Sequence, residues 1–184
     1  MTSSSERHRL FFALWPKDEV RAGTASATRE VVAASGGRPV PTANLHITLA
    51  FLGEVAPAQL AAASAIGAQV EGRCFELTLD QIETFPGARV LCLTASRVPE
   101  AAASLAERLR FKLLESNLKL SDQKFRPHVT LARDVPKLQR PAPFPPLQWP
   151  VSEFVLVESQ RGRGGSAYEV LERWALQQRL AVGD

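Results

Sequence analysis

Histidines, cysteines and long apolar runs are all scarce in this chain of 184 residues, which has three histidines and two cysteines. No apolar run approaches the roughly 20 residues that cross a bilayer, and no signal-type apolar core follows the polar start. We therefore expect neither a membrane anchor nor export. Cys74 and Cys92 lack the spacing of metal ligands and lie in apolar segments. They predict buried free thiols in the reducing cytoplasm.

Several common functional signatures are also missing. No Gly-x-Ser-x-Gly segment marks a serine nucleophile, and the glycines of 162–165 join two predicted strands with no helix after them, unlike a nucleotide-binding fingerprint. The net charge of +3 and a sequence pI near 9.2 permit an anionic ligand such as nucleic acid without requiring one.

Two of the three histidines lie in almost the same pentapeptide. The segment His-Ile-Thr-Leu-Ala begins at His46, and His-Val-Thr-Leu-Ala begins at His128. Their alternation of polar and branched apolar residues predicts a short strand at each place. His46 and Thr48 then share one face, as do His128 and Thr130, while the apolar residues anchor the other face.

The rest of the chain predicts alternating strands and helices in one domain of two small lobes. Strands are predicted at 9–14, 74–80, 89–94, 151–157 and 168–174, and helices at 18–34, 57–70 and 99–117. Residues 1–8, with His8, are expected to form a flexible solvated tail, and the proline-rich 136–150 an irregular connection. Similar elements around each motif predict a pseudo-twofold arrangement in which the motifs face one another across a cleft.

Paired imidazoles suit a reaction in which one proton is removed and one is delivered, because a pKa near neutrality lets each ring do either. Threonine hydroxyls beside the rings would stabilise the charge of a phosphoryl transition state. A metal site is the alternative, since histidines are good ligands. Neither motif contains a carboxylate, however, and we expect no metal and no cofactor.

The double His-x-Thr-x motif resembles the signature of the 2H phosphoesterases. The similarity continues through flanking segments over nearly the whole chain, namely Arg9 to Leu14, Asn44 to Gly53, Phe125 to Arg133 and Val157 to Ser159. This set is similar to the branch of RNA 2',3'-cyclic phosphodiesterases, also called 2'-5' RNA ligases.

The resemblance implies a single bilobal α+β domain over 1–184, with an active cleft between two antiparallel sheets and helices on the outer faces. It implies hydrolysis of the 2',3'-cyclic phosphate end of RNA to a 2'-phosphate without a metal, and the reverse 2'-5' ligation as a further capacity. His128 would be the proton acceptor and His46 the proton donor. Thr48 and Thr130 would bind the phosphate.

By the same resemblance, Phe51 and Arg133 would contact the terminal nucleotide, since each lies five positions after a histidine. A flat ring stacks on a base, and a guanidinium stacks or pairs with phosphate. In a regular strand an offset of five points away from the histidine face, so both residues need a strand end or a bulge to turn inward. Arg161 and Arg163 either reach the RNA backbone or form a solvated mobile loop.

Two other functions stay open at this point. One is a non-catalytic RNA-binding module that has kept the cleft. The other is a phosphodiesterase of small cyclic nucleotides or of cyclic ADP-ribose phosphate. We expect a cytoplasmic monomer in either case.

Overall fold

The part of the chain that the structure describes contains nine strands and three α-helices. This computed structural model describes residues 7–121, 124–137, 140–162 and 165–178, without the side chains at 161, 162 and 165. The strands are β1 His8–Leu14, β2 Arg38–Pro39, β3 Ile47–Val55, β4 Phe75–Phe85, β5 Val90–Thr94, β6 His128–Arg133, β7 Ala142–Val151, β8 Glu153–Gly162 and β9 Gly165–Ala175. The helices are α1 Asp18–Ala34, α2 Pro57–Gln69 and α3 Glu100–Glu115.

The strands form two antiparallel sheets, one with the order β3-β1-β8-β9 and one with the order β2-β6-β5-β4-β7. The first motif leads into β3, and the second forms β6, so the two motifs lie on different sheets. The predicted α+β fold with two antiparallel sheets is confirmed. No helix among the described residues is long and apolar enough to cross a membrane.

β1 lies between β3 and β8 in the first sheet, and its apolar side chains are buried on both faces of that sheet. Leu10, Phe12 and Leu14 belong to the main hydrophobic core. Phe11 and Ala13 belong to a second cluster with two valines of β8. A strand that is covered on both faces is expected to be a continuous apolar run, as predicted here.

Helices cover the two sheets. α1 packs against β6 and β7, α2 packs against β1, β8 and β9, and α3 contacts β3 and α2. The predicted leucine stripe of α3 is confirmed, since Leu105, Leu109 and Leu113 are buried in the main core. The helices thus support the sheets that hold the motifs.

The prediction of a tail that includes His8 is wrong. β1 begins at His8, and the His8 Nδ1 lies 2.7 Å from the Glu158 Oε1 on β8. His8 pairs in register with Val55 of β3, which explains why the strand extends to this polar residue. Residues 1–6 lie outside the described residues, so the rest of that prediction is untested.

The prediction of an irregular connection at 136–150 is also wrong over most of its length. β7 occupies Ala142–Val151 and pairs with β4 at the edge of the five-stranded sheet. Proline lacks a backbone N–H, and an edge strand tolerates this because one of its sides needs no ladder partner. The high proline content, which predicts an irregular connection, is therefore also compatible with an edge strand.

Two other boundaries differ from the prediction. β4 continues past its predicted end at 80 to Phe85, with a register shift between Leu79 and Gln81. The predicted loop at 161–166 is largely a hairpin, because Arg161 pairs with Ser166 and Gly162 with Gly165. Arg163 and the Arg161 side chain lie outside the description, so their proposed contacts stay predictions.

Gly67 lets α2 lie close to the indole of Trp174 on β9. A Cβ at this position would overlap the Trp174 ring, which itself packs against Phe12 and Phe154. A Cβ on Gly23 in α1 would meet nothing within 4 Å. The two helical glycines therefore differ in how much room they leave for a methyl group.

We expect Gly67→Ala to lower the free energy of unfolding by about 1 kcal/mol, because overpacking of about 1–3 kcal/mol outweighs the helix propensity gained. The matched Gly23→Ala should raise it by about 0.5–1 kcal/mol. Urea unfolding of the two variants measures both changes. Stabilisation by both substitutions would contradict the close packing of α2 on Trp174.

Candidate active site

A cleft of about 1670 Å³ is lined by both His-x-Thr motifs. The four-stranded sheet contributes aromatic side chains, including Phe11, Phe51 and Tyr168. The five-stranded sheet contributes polar and charged groups, including Glu83 and Arg133. One wall can therefore stack on a flat ligand, and the other can pair with charge.

The two histidines are held by the same hydrogen bond. The His46 Nδ1–H donates to the carbonyl oxygen of Asn44 at 2.7 Å, and the His128 Nδ1–H donates to that of Arg126 at 2.8 Å. A carbonyl oxygen only accepts, so Nδ1 carries the proton in both rings. In this tautomer the Nε2 of each neutral ring carries no proton, so Nε2 is the ring nitrogen with the capacity to accept one.

Each motif also contains a bulge directly after its threonine. Ala13 pairs with Thr48 and Phe12 with Ala50, so Leu49 is an extra residue in β3. On β5 and β6 the register likewise shifts between the threonine pair and the next pair, which leaves Leu131 as the extra residue. The bulges have equivalent positions in the two motifs, as expected for a repeated structural unit.

The bulge places Phe51 and Arg133 in the cleft. An extra residue turns an offset of five into an effective offset of four, which restores the histidine face. Phe51 pairs with Phe11 and packs against the second cluster, and both Phe51 and Arg133 line the cleft. The bulge in each motif strand thus explains how a residue five positions after a histidine lies on the same face as that histidine.

His46 lies among aromatic rings. Its ring centroid is 4.9 Å from that of Phe11, 5.2 Å from Tyr168 and 5.7 Å from Trp15. The pKa of His46 is lowered from 6.5 to about 4, chiefly by burial in this setting and to a smaller extent by the positive charges of His128 and Arg133. The hydrogen bond to Asn44 acts in the opposite direction. His46 is therefore neutral at pH 7 in the unliganded protein.

His128 has a more polar setting. Burial lowers its pKa below 6.5, and the nearby Arg126 contributes, while the Glu83 carboxylate opposes the shift. The Phe85 ring packs edge-on against His128 with centroids 4.9 Å apart. The Arg126 guanidinium lies over the Phe85 ring at 4.8 Å and pairs with Glu83. Arg126 thus supports His128 through its carbonyl and its side chain.

Glu83 is the most deeply buried acid on this wall, at 4% exposure. Its carboxylate accepts hydrogen bonds from the Thr94 hydroxyl and the Arg126 guanidinium. The sequence prediction missed Glu83 and Phe85 because β4 was expected to end at residue 80. The alternation of polar and apolar residues breaks at Asp80-Gln81 and again at Glu83-Thr84, so no periodic signal marks the continuation of the strand through 81–85.

The two cysteines are free thiols. Cys92 is fully buried, and burial raises its pKa to about 12, so it is inert as a nucleophile. It pairs in register with Thr130, to which its sulfur is hydrogen-bonded. Cys74 is half-buried rather than buried, and its Sγ–H donates to the Leu176 carbonyl at 3.3 Å. Within the described ranges, no group of three His, Cys, Asp or Glu side chains could hold a metal ion.

Two equivalent His-x-Thr strands that face one cleft in an α+β fold define the class of two-histidine phosphoesterases. Comparison with known proteins makes the assignment specific. The family model of the 2'-5' RNA ligase superfamily matches residues 16–163, and the chain belongs to that family.

Relatives match the chain over nearly its full length. It is 37% identical over 176 residues to the RNA 2',3'-cyclic phosphodiesterase of Escherichia coli, covering 95% of this chain and 99% of the relative. It is 38% identical to the enzyme of the same name from Thermus thermophilus, covering 91% and 90%. The structure of E. coli LigT complexed with 3'-AMP superposes with a TM-score of 0.86 at 36% identity, covering 94% of this chain and 100% of that chain.

We expect the His46 ring to titrate with a midpoint near pH 4, and both His46 and His128 to carry the proton on Nδ1 when neutral. Nitrogen-detected NMR of the imidazoles measures both properties, with His46→Ala and His128→Ala spectra for assignment. Arg133→Gln should raise the pKa of His46 because it removes a nearby positive charge. The exposed Arg29→Gln serves as the control. A His46 midpoint near 6.5 would contradict its desolvation by the aromatic rings.

Proposed function

We propose that the protein hydrolyses the 2',3'-cyclic phosphate at the 3' end of RNA to a 2'-phosphate. The observation that carries the proposal is the pair of imidazoles in one cleft, each held through Nδ1 with Nε2 left for proton transfer. As a family member with both motifs intact, the protein is a cyclic phosphodiesterase, a hydrolase acting on phosphodiester bonds. The names of its relatives support RNA as the substrate.

In the proposed step, the His128 Nε2 takes a proton from water as the water oxygen attacks phosphorus. The bond between phosphorus and the ribose 3'-oxygen breaks, and the protonated His46 delivers its proton to that oxygen. The product keeps the phosphate on the 2'-oxygen. The rings end with their protons exchanged, so the pair returns to its starting state through solvent.

The remaining cleft residues bind the substrate in this proposal. Thr48 and Thr130 donate hydroxyl hydrogen bonds to the non-bridging phosphate oxygens, where negative charge develops. The Phe51 ring stacks on the terminal base, and Arg133 adds a positive charge near the phosphate. Their support is their shared location in the cleft, which the two bulges produce.

The low pKa of His46 bears on its role as donor. In the empty cleft His46 is neutral at pH 7, whereas a donor must carry a proton. A cyclic phosphodiester is an anion, and an anion beside an imidazole favours the protonated ring. We infer that substrate binding raises the pKa of His46, so that the His46 ring becomes protonated and can act as the acid.

No metal is needed for this step, because the imidazoles transfer the protons and the hydroxyls stabilise the phosphoryl charge. The same machinery also supports 2'-5' ligation. A ribose 5'-hydroxyl of a second RNA would replace water, and its attack would form a 2'-5' phosphodiester. The free thiols favour a cytoplasmic location for this chemistry.

We expect the protein to hydrolyse an end-labelled RNA with a 2',3'-cyclic phosphate in the presence of EDTA, with a 2'-phosphate as the only product. His46→Ala and His128→Ala should each lower kcat by at least the roughly 10²-fold typical of general acid–base catalysis. Binding of the RNA without turnover would instead support a non-catalytic module. Loss of activity in EDTA would overturn the metal-independent mechanism.

A substrate in which sulfur replaces the 3'-bridging oxygen distinguishes the histidine that acts as the acid from the histidine that acts as the base. A thiolate leaves without a proton, so His46→Ala should recover most of its loss on this substrate, while His128→Ala should not. The reverse pattern would exchange the roles of acid and base.

The pH dependence follows from the lowered pKa values. Activity needs one neutral and one protonated ring, and both rings lose their proton below pH 6.5 in the free protein. The profile of kcat/KM should therefore peak on the acidic side of 6.5 and fall about tenfold per unit as the pH rises. The kcat profile should peak at higher pH, since the bound anion raises the pKa values. A kcat/KM optimum above about pH 7.5 would contradict this account.

A further inference from the structure

Arg9 is a half-buried residue of β1 that lines the catalytic cleft. Its guanidinium carbon lies 4.9 Å from the centroid of the Phe51 ring. Glu54 is its partner in the strand register, but within the described part of the chain the two side chains form no ion pair. The neighbouring Glu158 is bonded to His8 instead. Among the described residues, the Phe51 ring is therefore the principal contact of this guanidinium.

Such a setting is unusual for arginine. A guanidinium carries five N–H donors, and a half-buried one normally finds a carboxylate or carbonyl acceptor. A cation–π contact alone satisfies none of these donors. The donors of Arg9 are thus available to an anion that enters the cleft beside Phe51.

The register of β1 gives the order of the groups along this wall. Ala13 pairs with Thr48, and Phe11 pairs with Phe51. Arg9 follows on the same face, about 13 Å from Ala13 by the rise of a strand. The catalytic centre, the aromatic platform and the guanidinium therefore succeed one another along β1.

A nucleotide at an RNA end carries three groups, all attached to one ribose, that could occupy these three places. Its cyclic phosphate would lie at the threonines, its base on Phe51, and its 5'-oxygen would point away from the reacting edge of the ribose. In RNA that 5'-oxygen carries the phosphodiester to the preceding nucleotide. In a cyclic mononucleotide with a free 5'-hydroxyl this second anion is missing.

We propose that Arg9 binds the phosphodiester on the 5' side of the terminal nucleotide and so makes the enzyme prefer an RNA end over a cyclic mononucleotide. The inference rests on the proposed function and adds a specificity residue to the same site. A charge-assisted hydrogen bond to a phosphate typically changes binding by about 10–100-fold.

The test compares two substrates that differ by this one phosphodiester. They are a nucleoside 2',3'-cyclic phosphate with a free 5'-hydroxyl, and a dinucleotide that ends in the same cyclic nucleoside. We expect Arg9→Gln to lower the ratio of kcat/KM for dinucleotide over mononucleotide by about 10–100-fold, chiefly through KM. Arg9→Lys should retain part of the ratio, because it keeps the charge but loses the bidentate fork.

The exposed Arg29→Gln on α1 is the matched control and should leave both substrates unchanged. An equal loss on both substrates would show that Arg9 only positions Phe51 and would overturn the proposal, as would an unchanged ratio. Urea unfolding confirms that each variant is folded, and Arg9→Lys keeps the test available if Arg9→Gln is not. If the unsubstituted protein hydrolyses neither substrate, the proposed function itself fails. That result is distinct from a failure of the Arg9 inference.

Discussion

The whole site depends on one constraint in each motif strand. The apolar side chains must point into the core, while the histidine, the threonine and the residue five positions after the histidine must all point into the cleft. Ile47 and Leu49 enter the main core, which holds the strand in place. Simple alternation would then turn Phe51 away from His46. The extra residue in β3 satisfies the constraint, because core packing continues while the cleft face is restored. The second motif has the same bulge, with Leu131 as its extra residue, so the same local backbone feature shapes both walls of the cleft.

Around this framework the cleft combines two environments that suit the same reaction. The aromatic wall desolvates His46 and offers a stacking platform, whereas the polar wall places Arg126 and Glu83 around His128. Both imidazoles have lowered pKa values, so the unliganded cleft contains neutral rings beside several guanidinium groups. An anionic substrate is therefore the natural complement of the cleft, since it offsets the positive charge and favours protonation of one ring.

Much of this arrangement could be predicted from the sequence, because its signals were local. The repeated His-x-Thr pattern, the apolar run of β1, the bounds of α1 and the leucine stripe of α3 all depend on periodicity within one element. The errors occurred where a distant partner decides the structure. His8 belongs to a strand because it pairs with Val55 of β3, and the prolines after Ala142 belong to a strand because that strand lies at a sheet edge. Glu83 was overlooked because β4 continues through a register shift that periodicity does not reveal.

By itself the sequence determined the chemical groups, the two motif strands and the face on which each histidine and threonine lies. Short-range sterics and the alternation of side chains are sufficient for those properties. Only the tertiary structure decided that the motifs share one cleft, that burial lowers the pKa of His46, and that Arg9 lies over Phe51. These properties depend on pairing between residues far apart in the chain, and desolvation and register exist only once both sheets have formed.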